Sequence, residues 1–170
     1  FKDLADSGLQ LAHSYYAMSN GGWFGRGLGN SIEKNGYLPE ATTDFVFSIV
    51  IEELGFIGAG LILALVFFLI LRIMLVGIKA KNSFNSMMAL GIGGMLLMQV
   101  FVNIGGISGL IPSTGVTFPF LSQGGNSLLL LSVAVGIVLN IDANEKREEI
   151  YQEATEEIHR AETQEFKVIS

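Results

Sequence analysis

The chain has 170 residues, 50% hydrophobic and 15% charged, with 21 Gly, 3 Pro, no Cys and a mean hydropathy of +0.51. A soluble domain carries about a quarter charged residues to wet its surface, so an ordinary soluble fold is excluded. Residues 142–170 hold nine acidic and four basic side chains, and this stretch carries most of the net charge of −6. No basic face for nucleic acid is present, and the lack of Cys removes disulfides and thiolate metal sites.

Residues 1–43 are mixed and turn-rich, which predicts an extracellular juxtamembrane loop with short helices. Leu4, Leu11, Ala12, Tyr15 and Tyr16 are spaced as one apolar helix face, and Gly21, Gly22, Gly25, Gly27 and Gly29 then interrupt it. Phe1–Ser14 lacks the basic start and apolar core of a signal peptide. With no initiator Met, the chain reads as a piece of something longer.

Two uncharged runs follow, eighteen residues at Leu54–Leu71 and sixty at Asn82–Ile141. An apolar helix of about 20 residues crosses a hydrocarbon core of roughly 30 Å, so these runs predict an all-α polytopic membrane protein. Its three spans cover about 45–76, 87–104 and 127–141, with an outer loop at 105–126 and an acidic tail at 142–170. Gly91, Gly93 and Gly94 suit close helix approach in the second span. A straight helix from Asp44 to Arg72 measures about 42 Å, longer than the core, so with Arg72 at one interface Asp44 stands above the other. The loop with Arg72, Lys79 and Lys81 and no acidic residue belongs in the cytoplasm by the positive-inside rule. Asp44 is then outside and the tail cytoplasmic. Ile150, Ala154, Ile158 and Ala161 in the tail lie at helical spacing, which suits either a solvated amphipathic helix or a partner-binding one.

The chemistry concentrates at Tyr37–Ser48. Asp44 lies at the mouth of a span beside Thr42 and Thr43, where water is partly excluded and a carboxylate can accept a proton from a hydroxyl. The same Asp44 or Thr43 equally suits a helix cap over Phe45. On a helix Glu52 is turned about 80° from Asp44 and Glu53 about 180°, so Glu52 is the better partner for one cavity. Asp44 and Glu52, with Glu40 and Glu53 nearby, are hard oxygen donors for a divalent cation such as Mg²⁺, although no ligand spacing enforces one.

Gly21–Asn30 lacks the Gly-Lys-Ser/Thr ending of a phosphate loop. Its backbone amides, with Arg26 and Lys34, still suit a pyrophosphate; the other reading is a tight turn anchored by Trp23 and Phe24 at the interface. The outer loop Gly109–Ser127 holds Pro112, Pro119 and many hydroxyl and amide groups, among them Ser122 and Gln123. Irregular backbone at membrane depth is tolerated where it is buried in protein or lines a wet cavity. Such a loop suits a sugar-bearing ligand or serves as a self-bonded re-entrant segment.

Three blocks then resemble one family: Gly25–Ser31, Gly36–Phe47 with Glu52-Glu53-Leu54-Gly55, and Gly109–Ser127. They resemble the C-terminal part of the SEDS membrane proteins, the FtsW/RodA/SpoVE family, and most of all the division-type members of low-GC Gram-positive bacteria. The resemblance implies a ten-span peptidoglycan glycosyltransferase that polymerises lipid II, with undecaprenyl-linked glycan as the growing chain. It also implies a class B penicillin-binding transpeptidase and other divisome proteins as partners. Asp44 matches the family's essential Asp, which implies a catalytic base. Arg26, Lys34, Thr43, Glu52, Ser122 and Gln123 are the candidate substrate-binding residues. A lipid-linked precursor flippase and a non-catalytic divisome scaffold are the alternative functions. Three spans of ten imply that this piece alone polymerises nothing.

Overall fold

The computed structural model describes residues 2–30, 46–112, 115–122 and 125–169. Among them the regular structure is entirely helical: α1 Lys2–Gly21, α2 Val46–Lys79, α3 Ser83–Ile107 and α4 Gly125–Ile169. Three helices, α2, α3 and the first part of α4, are long and apolar enough to cross a membrane. Leu61, Leu65, Phe68, Met98 and Leu129 are each well exposed on them, a surface that lipid or further helices accommodate and water does not.

Between helices in lipid the hydrophobic effect gives little drive, so association rests on close packing and small residues. The α2–α3 seam follows that rule. Ala59, Val66, Ile70, Ile73 and Gly77 of α2 are buried against Ala89, Gly93, Leu96 and Val100 of α3. A Cβ on Gly77 would stand 2.8 Å from Leu90 Cγ, and one on Gly93 2.9 Å from Met74 Cγ, whereas Gly91 and Gly94 have open space. Of the three glycines expected to let helices approach, Gly93 does so among the described residues. Phe67 and Phe101 add an edge contact at 6.1 Å, and α4 contributes Leu131, Val138 and Ile141 to the same core.

The buried face of α1 differs from the sequence reading. Ser14 and Ala17 are fully enclosed, while Tyr15 and Tyr16 are 46% and 62% exposed. Small residues let the α1 backbone approach its neighbours, and the large rings stay outside. Ser14 Oγ donates to Ile107 O at 3.4 Å and Tyr15 Oη to Ser108 O at 2.8 Å. These bonds satisfy carbonyls left open at the C-terminus of α3.

At the opposite end, α4 continues beyond its apolar part as one helix and braces the α2–α3 loop. Lys81 N–H donates to Glu145 Oε2 at 3.0 Å, Asn85 Nδ2 to Glu145 Oε1 at 3.3 Å, and Lys81 Nζ to Gln152 Oε1 at 3.1 Å. Asn82 caps α3 by accepting from Phe84 N–H at 2.9 Å, so the Glu145 carboxylate sits at a helix N-terminus, where negative charge is favoured. Glu145 lies past the apolar stretch of α4. The Lys81 amide, and after it the Asn85 side chain, hold its pKa below the ordinary 4.5. A carboxylate shifted down in the folded state contributes stability above its unfolded pKa and loses that contribution as pH falls through the folded value. Glu145→Ala should therefore unfold at a lower temperature than wild type at neutral pH. In detergent-solubilised thermal melts the difference should shrink as the pH is lowered below 4.5; a difference independent of pH would contradict this role.

Candidate functional site

At the end of the bundle away from Lys81, the loop after α1, the first half of α2 and the outer loop meet. α2 is broken at Gly55, whose φ of 73° and ψ of 177° are non-helical, a conformation open to glycine. In an unbroken helix Phe56 N–H would donate to Glu52 O and Ile57 N–H to Glu53 O, four residues back. Here those four groups are served by the Gly21–Asn30 loop. Arg26 N–H donates to Glu52 O at 2.9 Å and Gly27 N–H to Glu53 O at 2.9 Å, while Phe56 N–H donates to Gly22 O at 2.9 Å and Ile57 N–H to Trp23 O at 3.3 Å.

This exchange needs backbone to touch backbone. A Cβ on Gly25 would lie 2.2 Å from Glu53 O, and one on Gly55 2.4 Å from Gly25 N and from Trp23 O. The glycine spacing in the loop is thus a docking surface for α2. Trp23 and Phe24 are 72% and 86% exposed, with Trp23 reaching Phe56 at 6.4 Å between rings.

The outer loop packs beside the start of α2. Phe118 is buried and stacks on Phe47, with ring centroids 4.8 Å apart and planes 8° apart. Ser122 Oγ accepts from Phe118 N–H at 2.9 Å and Ser122 N–H donates to Phe118 O at 3.3 Å. This closes a turn in which Phe120 takes a left-handed φ of 65°. Buried Asn103 on α3 donates from Nδ2 to Val116 O at 2.8 Å, which fixes the other side of the loop.

Of the sequence candidates, Glu52 is fully buried on α2 and Arg26 is joined to it through the backbone, with the Arg26 side chain exposed. Ser122 serves the outer-loop turn within the same end of the molecule. Asp44, Lys34, Thr43, Glu40 and Gln123 lie outside the described residues. Glu53, beside the break, has a buried Oε1 without a hydrogen-bond partner among the described residues. No group of three or more His, Asp or Glu side chains is assembled among the described residues. The sequence reading has Gly55 and Phe118 only as members of family-like blocks, with no role of their own, and does not single out Asn103. The glycines of the loop were the available signal, since glycine marks places where another backbone can come close, as α2 does at Gly21 and Gly25.

The family described as cell cycle protein, FtsW/RodA/SpoVE, matches residues 1–147. A relative from Lactococcus lactis, named "Probable peptidoglycan glycosyltransferase FtsW", is 65% identical over 150 residues, covering 88% of this chain and 36% of the relative. The fold is similar to an Asp-to-Ala variant of the rod shape determining protein RodA of Thermus thermophilus, at a TM-score of 0.58 and 35% identity over 62% of this chain and 36% of that one. It is also similar to a chain from a peptidoglycan synthase complex described as coordinating polymerization and crosslinking. There the TM-score is 0.63 and the identity 29%, over 79% of this chain and 37% of the other. This chain therefore spans little more than a third of the length of these proteins.

Asn103→Ala removes the donor to the Val116 carbonyl. It should cost about 1–3 kcal/mol, the range for stripping a buried group of its partner. Limited proteolysis at the outer loop should report it as faster cleavage, while α2 and α3 keep their wild-type resistance. Unchanged cleavage at residues 115–122 would contradict the role given to this bond.

Proposed function

The chain belongs to the FtsW/RodA/SpoVE family, and on that premise we propose that it is the C-terminal, three-span portion of a peptidoglycan glycosyltransferase of cell division, a lipid II polymerase. The observation that carries the reading is the 65% identity to a relative of that name across most of the chain. The convergence of the α2 start, the glycine loop and a hydroxyl-bearing outer loop at one end of the bundle supports it.

In this reading Asp44, two residues before α2, deprotonates the acceptor sugar hydroxyl. The resulting oxygen attacks the anomeric carbon of the growing glycan, the bond to its lipid pyrophosphate breaks, and undecaprenyl pyrophosphate leaves. Arg26 and Lys34 offer cationic donors to that pyrophosphate. Thr43, Ser122 and Gln123 offer hydroxyl and amide groups to the sugars. Glu52, enclosed on α2, supports the site through its position beside the break.

A divalent cation belongs to the same proposal. Asp44 and Glu52 supply hard oxygens, with Glu40 and Glu53 close in sequence; the ion would neutralise pyrophosphate charge. The orientation has Asp44 outside and the α4 tail in the cytoplasm, because the basic residues Arg72, Lys79 and Lys81 lie at the end braced by Glu145. A class B penicillin-binding transpeptidase and other divisome proteins are the proposed partners.

Two measurements test this reading on the full-length protein. Asp44→Asn should abolish glycan polymerisation from lipid II while expression and assembly with the transpeptidase persist. Retained polymerisation would remove Asp44 as the base, and lipid II transfer across vesicles without polymerisation would favour a flippase. Chelation with EDTA should stop polymerisation and added Mg²⁺ should restore it; an EDTA-insensitive rate would take the cation out of the proposal.

A further inference from the structure

The four backbone groups at the α2 break have two complete sets of partners. In the observed set, Glu52 O and Glu53 O accept from Arg26 and Gly27, and Phe56 N–H and Ile57 N–H donate to Gly22 and Trp23. In the other set they pair with one another, as any helix does at a spacing of four residues. Loss of the loop therefore does not leave α2 with open backbone groups, because the helix can close on itself. Closure would straighten α2 at Gly55 and re-aim the segment Val46–Leu54 against Phe118, which now stacks on Phe47.

We propose that the Gly22–Gly27 loop is a positioning element for the reaction. By holding α2 open at Gly55, its backbone fixes the direction of the segment that begins two residues after Asp44 and carries Glu52. The positioning residues are Gly25 and Gly55, which act through the Glu52 and Glu53 carbonyls and touch no substrate. The role in the reaction rests on the polymerase reading above; the exchange of backbone partners does not.

Substitution at these glycines selects between the two pairings. Ala at residue 55 disfavours the positive φ of the open form, and its Cβ would fall 2.4 Å from Gly25 N and Trp23 O, whereas Ala is the preferred residue of a closed helix. Gly25→Ala expels the loop from the other side, with its Cβ 2.2 Å from Glu53 O and no change in α2 itself. Gly60→Ala, on the same helix with open space around it, is the control.

The test is amide hydrogen exchange with polymerisation kinetics on the full-length protein in lipid nanodiscs. In Gly55→Ala the amides of Arg26 and Gly27 should exchange roughly tenfold faster or more, while those of Phe56 and Ile57 stay protected by the closed helix. Unfolding of the region would expose all four. The polymerisation kcat should fall by about 100-fold, the scale expected when a reacting group is misplaced by an ångström, well beyond the fall in Arg26→Ala, which removes the loop's cation and leaves its backbone contact with α2 in place, and any rise in KM for lipid II should be no larger than in that variant. Gly25→Ala should behave alike, and Gly60→Ala should match wild type. Deprotection of all four amides in both variants, or of none, would overturn the two-pairing account. Deprotection of Arg26 and Gly27 with a wild-type kcat would overturn the positioning role. The exchange pattern is read without reference to activity, so a failure of the polymerase reading, seen as full polymerisation by Asp44→Asn, is distinguishable from a failure here.

Discussion

The end of the bundle where the glycine loop meets α2 depends on one constraint: a helix broken at Gly55 within an apolar segment must have its freed backbone groups paired. Unpaired N–H and C=O groups cost several kcal/mol each where water is excluded, and the break frees four of them. The Gly22–Gly27 loop supplies all four partners. It can do so because glycine at 25 and 55 lets two backbones come within hydrogen-bonding reach. A side chain at either position would hold the loop away, and the broken helix would lose its reason to stay broken.

The rest of the architecture holds that arrangement from both sides. Small residues bring α2 and α3 together at Gly77 and Gly93, which gives the lower part of α2 a fixed axis from which the break departs. α1 is tied to the end of α3 by Ser14 and Tyr15, so the loop that follows α1 starts from a defined place. The outer loop, anchored by Asn103 and stacked through Phe118 on Phe47, supports the short upper segment of α2. Far from this end, Glu145 ties the α2–α3 loop to α4. The two ends thus differ in kind: one is joined through the Glu145 carboxylate, the other by backbone pairing, an aromatic stack and neutral side-chain hydrogen bonds.

The three spans were legible in the sequence because a bilayer filters on length and charge, and the runs Leu54–Leu71 and Asn82–Ile141 satisfy both. The family was legible in three blocks: Gly25–Ser31, Gly36–Phe47 with Glu52-Glu53-Leu54-Gly55, and Gly109–Ser127. The inner packing was not. Hydrophobicity says little about which helix face is buried when close backbone approach favours small residues, so Ser14 and Ala17 are enclosed while Tyr15 and Tyr16 are exposed. The same applies to Gly91, Gly93 and Gly94, where composition is identical and only the direction toward Met74 separates the middle one. The break at Gly55 escaped notice because a single residue with positive φ leaves the hydropathy of the run unchanged. The glycines of the 21–30 loop read as a tight turn or a pyrophosphate-binding backbone, since a partner that is itself backbone has no sequence signature.

The most direct measurement of the central claim is an experimental structure of the full-length protein in lipid, at a resolution that traces the backbone of residues 21–57. The account predicts α2 broken at Gly55, with Arg26 and Gly27 amides on the Glu52 and Glu53 carbonyls. An unbroken α2, in which Phe56 and Ile57 donate to Glu52 and Glu53 and the glycine loop lies elsewhere, would contradict it.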